Sequence, residues 1–313
     1  MQQPQCADAV LMVRPAAFNY SEETAASNRL QRRTGLASGE AAARARAEFD
    51  RVAEALRGEG IRVCIADDTP EPPKPDAVFP NNWISFHADG TIVLYPLQAK
   101  TRRRERRPEI VSRVVEQLGY RARRTLDLTA NEGEGRVLEG TGSLVLDHVG
   151  HVAYACLSPR TDAKMLAAWC REMRYEPVPF SAFDRSGTPL YHTNVMMCIG
   201  SRVAVVGTEA IAPGDRRTVL DRIAASGREI IEIGHDGIER FGANALELAS
   251  WDEALGDCSL WVMSSTARGA FDADAFARLA GATDTVLTVE IPTIEQLGGG
   301  GVRCMLAEVF SAT

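Results

Sequence analysis

Apolar and polar positions repeat along this chain as one unit. Each copy has a polar opening, an apolar run, a turn, a second apolar run, an amphipathic helix and a closing apolar run. The first copy opens at Phe79-Pro80-Asn81-Asn82-Trp83 and stays apolar to Phe86. Ala88-Asp89-Gly90 signals a hairpin, and Thr91-Ile92-Val93-Leu94-Tyr95 returns. Pro108 predicts the first turn of a helix whose face is Ile110, Val111, Val114, Val115 and Leu118, with Gly119 as its stop.

The second copy covers residues 137–146 and returns over 151–157; a helix capped by Thr161 or Asp162 then turns Leu166, Trp169, Cys170 and Met173 inward. The third runs through Tyr191-His192-Thr193-Asn194-Val195-Met196-Met197, returns over 203–206 and enters a helix at Pro213. The fourth has Asn244-Ala245-Leu246-Glu247-Leu248, then Leu260-Trp261-Val262-Met263, then a helix carrying Phe271, Ala275, Phe276 and Leu279. The fifth is cut. Its first strand follows the glycine run Gly298-Gly299-Gly300-Gly301 and Cys304, through Met305, Leu306, Ala307, Val309 and Phe310. Its second is the N-terminal run Val10-Leu11-Met12-Val13, completed by a helix around Phe49, Val52, Ala53 and Leu56 and the strand Ile61-Arg62-Val63-Cys64. Openings recur roughly every 50–60 residues, a period of propellers and solenoids. A unit divided between the two ends predicts a closed α/β ring of five ββαβ units, completed by the N-terminal strand.

Length and charge narrow the picture. A chain of 313 residues suffices for one large domain or two ordinary ones. The only linker-like stretch, Asp67-Asp68-Thr69-Pro70-Glu71-Pro72-Pro73-Lys74-Pro75, comes too early to divide domains. Residues 1–313 are therefore expected to form a single domain. A net charge of −7 argues against a nucleic-acid partner. The one basic cluster, Lys100-Thr101-Arg102-Arg103-Arg104-Glu105-Arg106-Arg107, has no interleaved aromatics and reads mainly as a solvated face. No run is long and apolar enough to span a bilayer, and the opening Met1-Gln2-Gln3-Pro4-Gln5-Cys6 lacks the pattern of an export signal. Seven scattered cysteines without metal-site spacing fit reduced thiols in a cytoplasmic protein. No metal and no organic cofactor is expected.

In such a ring the polar openings converge on the axis. Asn81, Asn82, Glu139, His192, Asn194 and Cys304, far apart in sequence, would meet there. Singly, each has an ordinary explanation: a strand-opening amide, a turn-closing acid, a satisfied core histidine, a buried thiol. Together they supply a nucleophile, a titratable acid/base, a carboxylate and amides for a ligand, the set a covalent hydrolase requires.

The order Asn-Asn, Glu-Gly, His-x-Asn and Gly-rich Cys resembles the guanidine-modifying (pentein) superfamily of arginine deiminases, dimethylarginine hydrolases and amidinotransferases. Arg14-Pro15, Leu157-Ser158-Pro159-Arg160-Thr161 and Gly299-Gly300-Gly301-Val302-Arg303-Cys304 carry its more specific pieces. Within it, Phe79-Pro80-Asn81-Asn82-Trp83 and Tyr191-His192-Thr193-Asn194-Val195-Met196-Met197 are most similar to the citrulline-utilisation hydrolase (CtlX-type citrulline ureidase) group. The resemblance implies a five-bladed α/β propeller, with Cys304 as nucleophile, His192 as acid/base and Glu139 orienting His192 and substrate nitrogen. It implies that Arg160, and less firmly Arg102 or its neighbour Arg103, hold the substrate's α-carboxylate.

One departure bears on substrate. Arginine deiminases carry acids at the positions of Asn82 and Asn194. A buried guanidinium facing amides would lose charge-assisted bonds worth roughly 1.5–3 kcal/mol each and keep its desolvation cost. A neutral ureido group suits an amide that both donates and accepts. The expectation is hydrolysis of citrulline to ornithine, carbon dioxide and ammonia through a covalent Cys304 intermediate. An arginine deiminase, a dimethylarginine-type hydrolase or an amidinotransferase using the same residues is the alternative. The partner is then a small ureido or guanidino amino acid, and a homodimer is compatible with the sequence.

Overall fold

The computed structural model describes residues 4–252 and 256–311; the Met1-Gln2-Gln3 start, on which the export expectation partly rests, lies outside them. In chain order the strands are β1 (Ala9–Arg14), β2 (Arg62–Asp67), β3 (Ile84–Phe86), β4 (Thr91–Leu94) and β5 (Arg124–Asp127). They continue with β6 (Val145–Asp147), β7 (Val152–Cys156), β8 (Glu176–Phe180), β9 (Met197–Ile199) and β10 (Val203–Val206). The last are β11 (Glu229–Glu232), β12 (Leu246–Asp252), β13 (Gly256–Ser264), β14 (Thr285–Val289) and β15 (Ala307–Val309).

Five trios share one pairing rule. The first two strands are antiparallel and the third lies parallel to the second: β3-β4-β5, β6-β7-β8, β9-β10-β11, β12-β13-β14 and β15-β1-β2. A parallel partner needs a long crossover, and in each trio a helix supplies it. These are Pro108–Leu118, Ala163–Met173, Pro213–Ala224, Ala273–Gly281 and Ser38–Gly58. The helix signals hold. Gly119 adopts φ 66° at its C-terminal stop, and Asp162 accepts the backbone N–H groups of Lys164 and Met165 at 3.0 and 2.9 Å.

The last trio is the divided one. β1 pairs antiparallel with β15, joining the two ends of the chain, and Val309 pairs with Phe86 of β3 so that this blade and the first form one six-stranded sheet. The fold is therefore the five-bladed α/β propeller, its ring closed by the N-terminal strand. The closing blade buries Phe49, Val52 and Leu56 of the helix Ser38–Gly58 with Val10 and Met12. Removing the Phe49 ring would cost about 3–5 kcal/mol. Among the described residues no helix is long and apolar enough to cross a membrane.

The openings differ from the expectation. Extended runs into each first strand were anticipated, but four of them fold as single helical turns: Pro80–Asn82, Gly140–Ser143, Thr193–Val195 and Val302–Met305. Close packing around the axis forces this. Gly140 takes φ 47°, and a Cβ there would stand 2.1 Å from the Asn81 carbonyl oxygen, so blade two wedges directly onto blade one. Cys304 and Met305 accordingly sit in a helical turn, and the strand expected from Met305 begins only at Ala307.

Candidate active site

Four helical turns deliver the chemistry to the axis. Cys304 is buried in the last of them, with Asn194 Nδ2 3.4 Å and Asn244 Nδ2 3.3 Å from its sulfur. Burial pushes this thiol above its ordinary pKa, and the two amide hydrogen bonds oppose the rise. His192 immediately precedes the turn Thr193–Val195, and its Nε2 lies 2.8 Å from Glu139 Oε2. An ionised carboxylate can only accept, so Nε2 carries the proton and Nδ1 is the basic nitrogen of the neutral ring.

Glu139 is fully buried. Burial alone would raise its pKa. Arg160 Nη1 at 3.4 Å, the His192 bond and Arg102 Nη1 at 3.9 Å reverse this and hold it well below the usual carboxylate range. Its other oxygen accepts the Gln98 N–H at 3.0 Å. Burial lowers His192 to about 4 even against the pull of Glu139. At neutral pH the site thus holds an anionic Glu139 and a neutral His192.

Arg102 and Arg160 both reach the cavity. Arg102 binds Glu105 through two nitrogens at 2.9 Å and donates from Nη1 to Asn82 Oδ1 at 2.6 Å. Its neighbour Arg103 instead donates to the Leu97 carbonyl and pairs with Glu132, which separates the two candidates. Arg160 stacks over the Tyr191 ring, 4.8 Å from its centroid, and donates to Ser27 Oγ and the Thr24 carbonyl at 2.8 Å. Asn82 also donates to Asn81 Oδ1 at 3.1 Å.

Asn82, Arg102, Arg160, His192 and Cys304 line one buried cavity. Glu139 stands behind His192, Asn194 beside the sulfur, and Asn81 behind Asn82, each one residue back from the open space. The cavity itself is ≈ 20 Å³, about room for a single water. Residues 24–31 close it. Asn28 Nδ2 donates to the Gly298 and Gly299 carbonyls at 3.2 Å, Gln31 Nε2 to Gly298 at 3.1 Å, and Tyr191 OH to Gly299 at 2.7 Å. The glycine run is explained by this crowding. A Cβ at Gly298 would come 2.7 Å from the Phe79 ring, and one at Gly299, where φ is 61°, would meet the Asn28 side chain at 2.7 Å. A roomier recess of ≈ 590 Å³ beside the helix Pro108–Leu118 holds no comparable set of groups. Among the described residues, no group of three or more His, Cys, Asp or Glu could hold a metal ion.

The sequence reading missed several residues. Asp76 is a buried carboxylate lining the cavity and accepts from Thr24 Oγ1 at 3.1 Å. With Arg102 and Arg160 it shows that the walls are not amides alone. An acid set in the apolar run Asp76-Ala77-Val78-Phe79 was the available signal. Asn244 heads blade four as Asn82 and Asn194 head theirs, so aligning the repeats would have found it. Thr24, Asn28 and Gln31 lie in a segment without periodicity, where no local signal existed.

The eukaryotic N,N dimethylarginine dimethylhydrolase family matches residues 14–311, nearly the whole chain. The chain belongs to this family. Dimethylarginine dimethylhydrolases are cysteine-dependent hydrolases acting on guanidino C–N bonds. Among solved structures, the substrate-bound N-terminal domain of ArgZ, an arginine dihydrolase from cyanobacteria, superposes with TM-score 0.73 at 16% identity, covering 97% of this chain and 98% of that one. Unliganded AgrE gives TM-score 0.74 at 18% identity, covering 97% of this chain and 39% of that one. DDAH from Pseudomonas aeruginosa, complexed with citrulline, gives 0.65 at 16% identity, covering 97% and 99%. These likenesses establish the shared pentein fold. No curated protein matches the chain by sequence.

Proposed function

We propose that this dimethylarginine dimethylhydrolase relative hydrolyses the ureido group of citrulline, yielding ornithine, carbon dioxide and ammonia. The carrying observation is the surroundings of Cys304. Its polar contacts are the amides of Asn194 and Asn244, and the nearby carboxylate Glu139 is already compensated by Arg160, Arg102 and His192. A guanidinium placed against the sulfur would face two neutral amides and a carboxylate already paired, whereas a neutral ureido group keeps its hydrogen bonds.

Substrate binding starts with residues 24–31, since a ≈ 20 Å³ cavity excludes an amino acid until that segment moves. Arg160, released from Ser27 and Thr24, is then free to take the α-carboxylate as a planar fork. Asp76, at the same end of the site, is suited to the α-ammonium. His192 Nδ1 first takes the proton of Cys304 Sγ, and the thiolate so formed attacks the ureido carbon. The bond from that carbon to the Nδ of the ornithine moiety breaks, and this nitrogen takes a proton from His192 Nδ1. Carbamoyl-Cys304 remains. Neutral His192 then removes a proton from water, which attacks the carbonyl carbon; the C–S bond breaks and carbamate decomposes to carbon dioxide and ammonia. Within each half-reaction Glu139 stabilises the imidazolium, which forms as Cys304 or water gives up its proton and discharges to the leaving nitrogen or the departing sulfur. One water is consumed per turnover.

Family membership and the carboxylate of Asp76 favour a second reading, hydrolysis of arginine or a methylated arginine by the same residues. Incubating the protein with citrulline, arginine and the methylarginines, each alone, and assaying ornithine, ammonia and released methylamines distinguishes the two. Citrulline turnover with ornithine formation supports the first. Methylamine release with no ornithine from citrulline overturns it. Cys304→Ser should be inactive on every substrate.

A further inference from the structure

Of the two amides that meet the nucleophile, one belongs to a residue outside every motif that pointed to the chemistry. Asn244 is buried at the opening of the fourth blade, with Nδ2 3.3 Å from Cys304 Sγ and 3.0 Å from the backbone carbonyl oxygen of Asn194. We propose that Asn244 is a further catalytic residue, a fixed hydrogen-bond donor from blade four that stabilises the thiolate once Cys304 gives up its proton. This rests on Cys304 being the nucleophile and goes beyond that assignment.

The orientation of the amide decides its role. A backbone carbonyl only accepts, so the atom facing Asn194 must be the nitrogen. Turning the amide over would set two acceptor oxygens against each other at 3.0 Å. One N–H of Asn244 is thus committed to that carbonyl and the other is directed at the sulfur. Sulfur is then an acceptor, a role that a thiolate fills well and a neutral thiol poorly. Asn244 keeps this orientation although its own Oδ1 is buried without a partner among the described residues. Room for that oxygen exists because residue 301 is glycine: a Cβ there would stand 2.8 Å from it.

Asn194 is different. Its Nδ2 also faces the sulfur, at 3.4 Å, but among the described residues no second acceptor fixes its amide and its Oδ1 likewise lacks a partner. It can turn and accept the S–H of the neutral thiol. One amide is locked for the thiolate while the other serves both forms. Such a device is needed here. The sulfur is buried, and the guanidinium of neighbouring Arg303 is engaged with Glu308 at 2.7 Å and the Leu306 carbonyl at 3.0 Å. A ureido substrate brings no positive charge of its own, so the N–H donors lead the stabilisation, with Arg303 and Arg102 adding to it through charge.

The test follows iodoacetamide alkylation of Cys304 against pH, read by peptide mass spectrometry so that the other cysteines are scored separately. Asn244→Asp keeps the shape, removes the N–H facing sulfur and adds negative charge. Its alkylation midpoint should move up by about one pH unit or more, with an alkylation rate at pH 7 roughly tenfold lower. kcat should fall in parallel while KM changes little. If Asn244→Asp does not fold, Asn244→Ala is read the same way. A variant profile that overlays a reactive wild type overturns the role of Asn244 alone. A wild-type Cys304 that resists alkylation across the range overturns the nucleophile assignment, and this proposal with it.

Discussion

Glu139 accepts the Nε2–H of His192 at 2.8 Å in a region closed to solvent. The bond selects the ring tautomer, and the charge awaits the imidazolium that catalysis forms. Glu139→Gln retains an acceptor for Nε2 but removes that charge. We expect kcat to fall about 10²–10³-fold with KM little changed. Steady-state kinetics decide it; a kcat within twofold of wild type would show that Glu139 only shapes the site.

Arg160 holds the closing segment through Ser27 and Thr24 and is proposed to hold the substrate carboxylate when that segment opens. Arg160→Lys keeps charge but loses the fork and the stacking over Tyr191. KM should rise about 10–100-fold, from a loss of roughly 1.5–3 kcal/mol. The variant should also lose the preference for substrate over its decarboxylated analogue. Equal discrimination in both proteins counts against a carboxylate site at Arg160.

Asn82 lines the cavity and accepts from Arg102 at 2.6 Å. Asn82→Asp adds an anion where a substrate nitrogen would lie. The ratio of kcat/KM for citrulline to that for arginine should drop by about tenfold, a change of about 1.4 kcal/mol. Competition assays with both substrates measure it, and an unchanged ratio would remove Asn82 from substrate selection.

Stability should fail on the acid side through buried histidines. His87 is buried against Ser85 Oγ at 2.8 Å, and desolvation lowers it to about 4. In the unfolded chain it titrates near its ordinary value of about 6.5. The unfolded state therefore takes up the proton first. The His87 contribution is complete above about 6.5 and is lost as pH falls toward 4. By pH 5 the loss is about 2 kcal/mol. Melting curves at pH 7 and pH 5 should show a smaller drop for His87→Gln than for wild type. His192, also lowered to about 4, adds to the same slope.

Much of the fold was legible because its units are local. Helix faces such as Ile110 with Val114, the Gly119 stop and the Asp162 cap depend on neighbours within a few residues. The division of one blade between Val10 and Val309 followed from counting repeats. Cys304, His192, Glu139 and Asn82 stood out because they occupy equivalent openings of successive units.

What the chain alone determined is the repeat, its count, and the residue types placed at each opening, since propensity and periodicity are written at short range. Tertiary packing decided the rest. Crowding at the axis folded the openings into helical turns, put Arg102 rather than Arg103 in the cavity, brought Asp76 and residues 24–31 over the site, and set Asn244 against the sulfur. Those contacts join groups tens to hundreds of residues apart, such as Asn28 with Gly298. No local pattern encodes them; they exist only once the ring has closed.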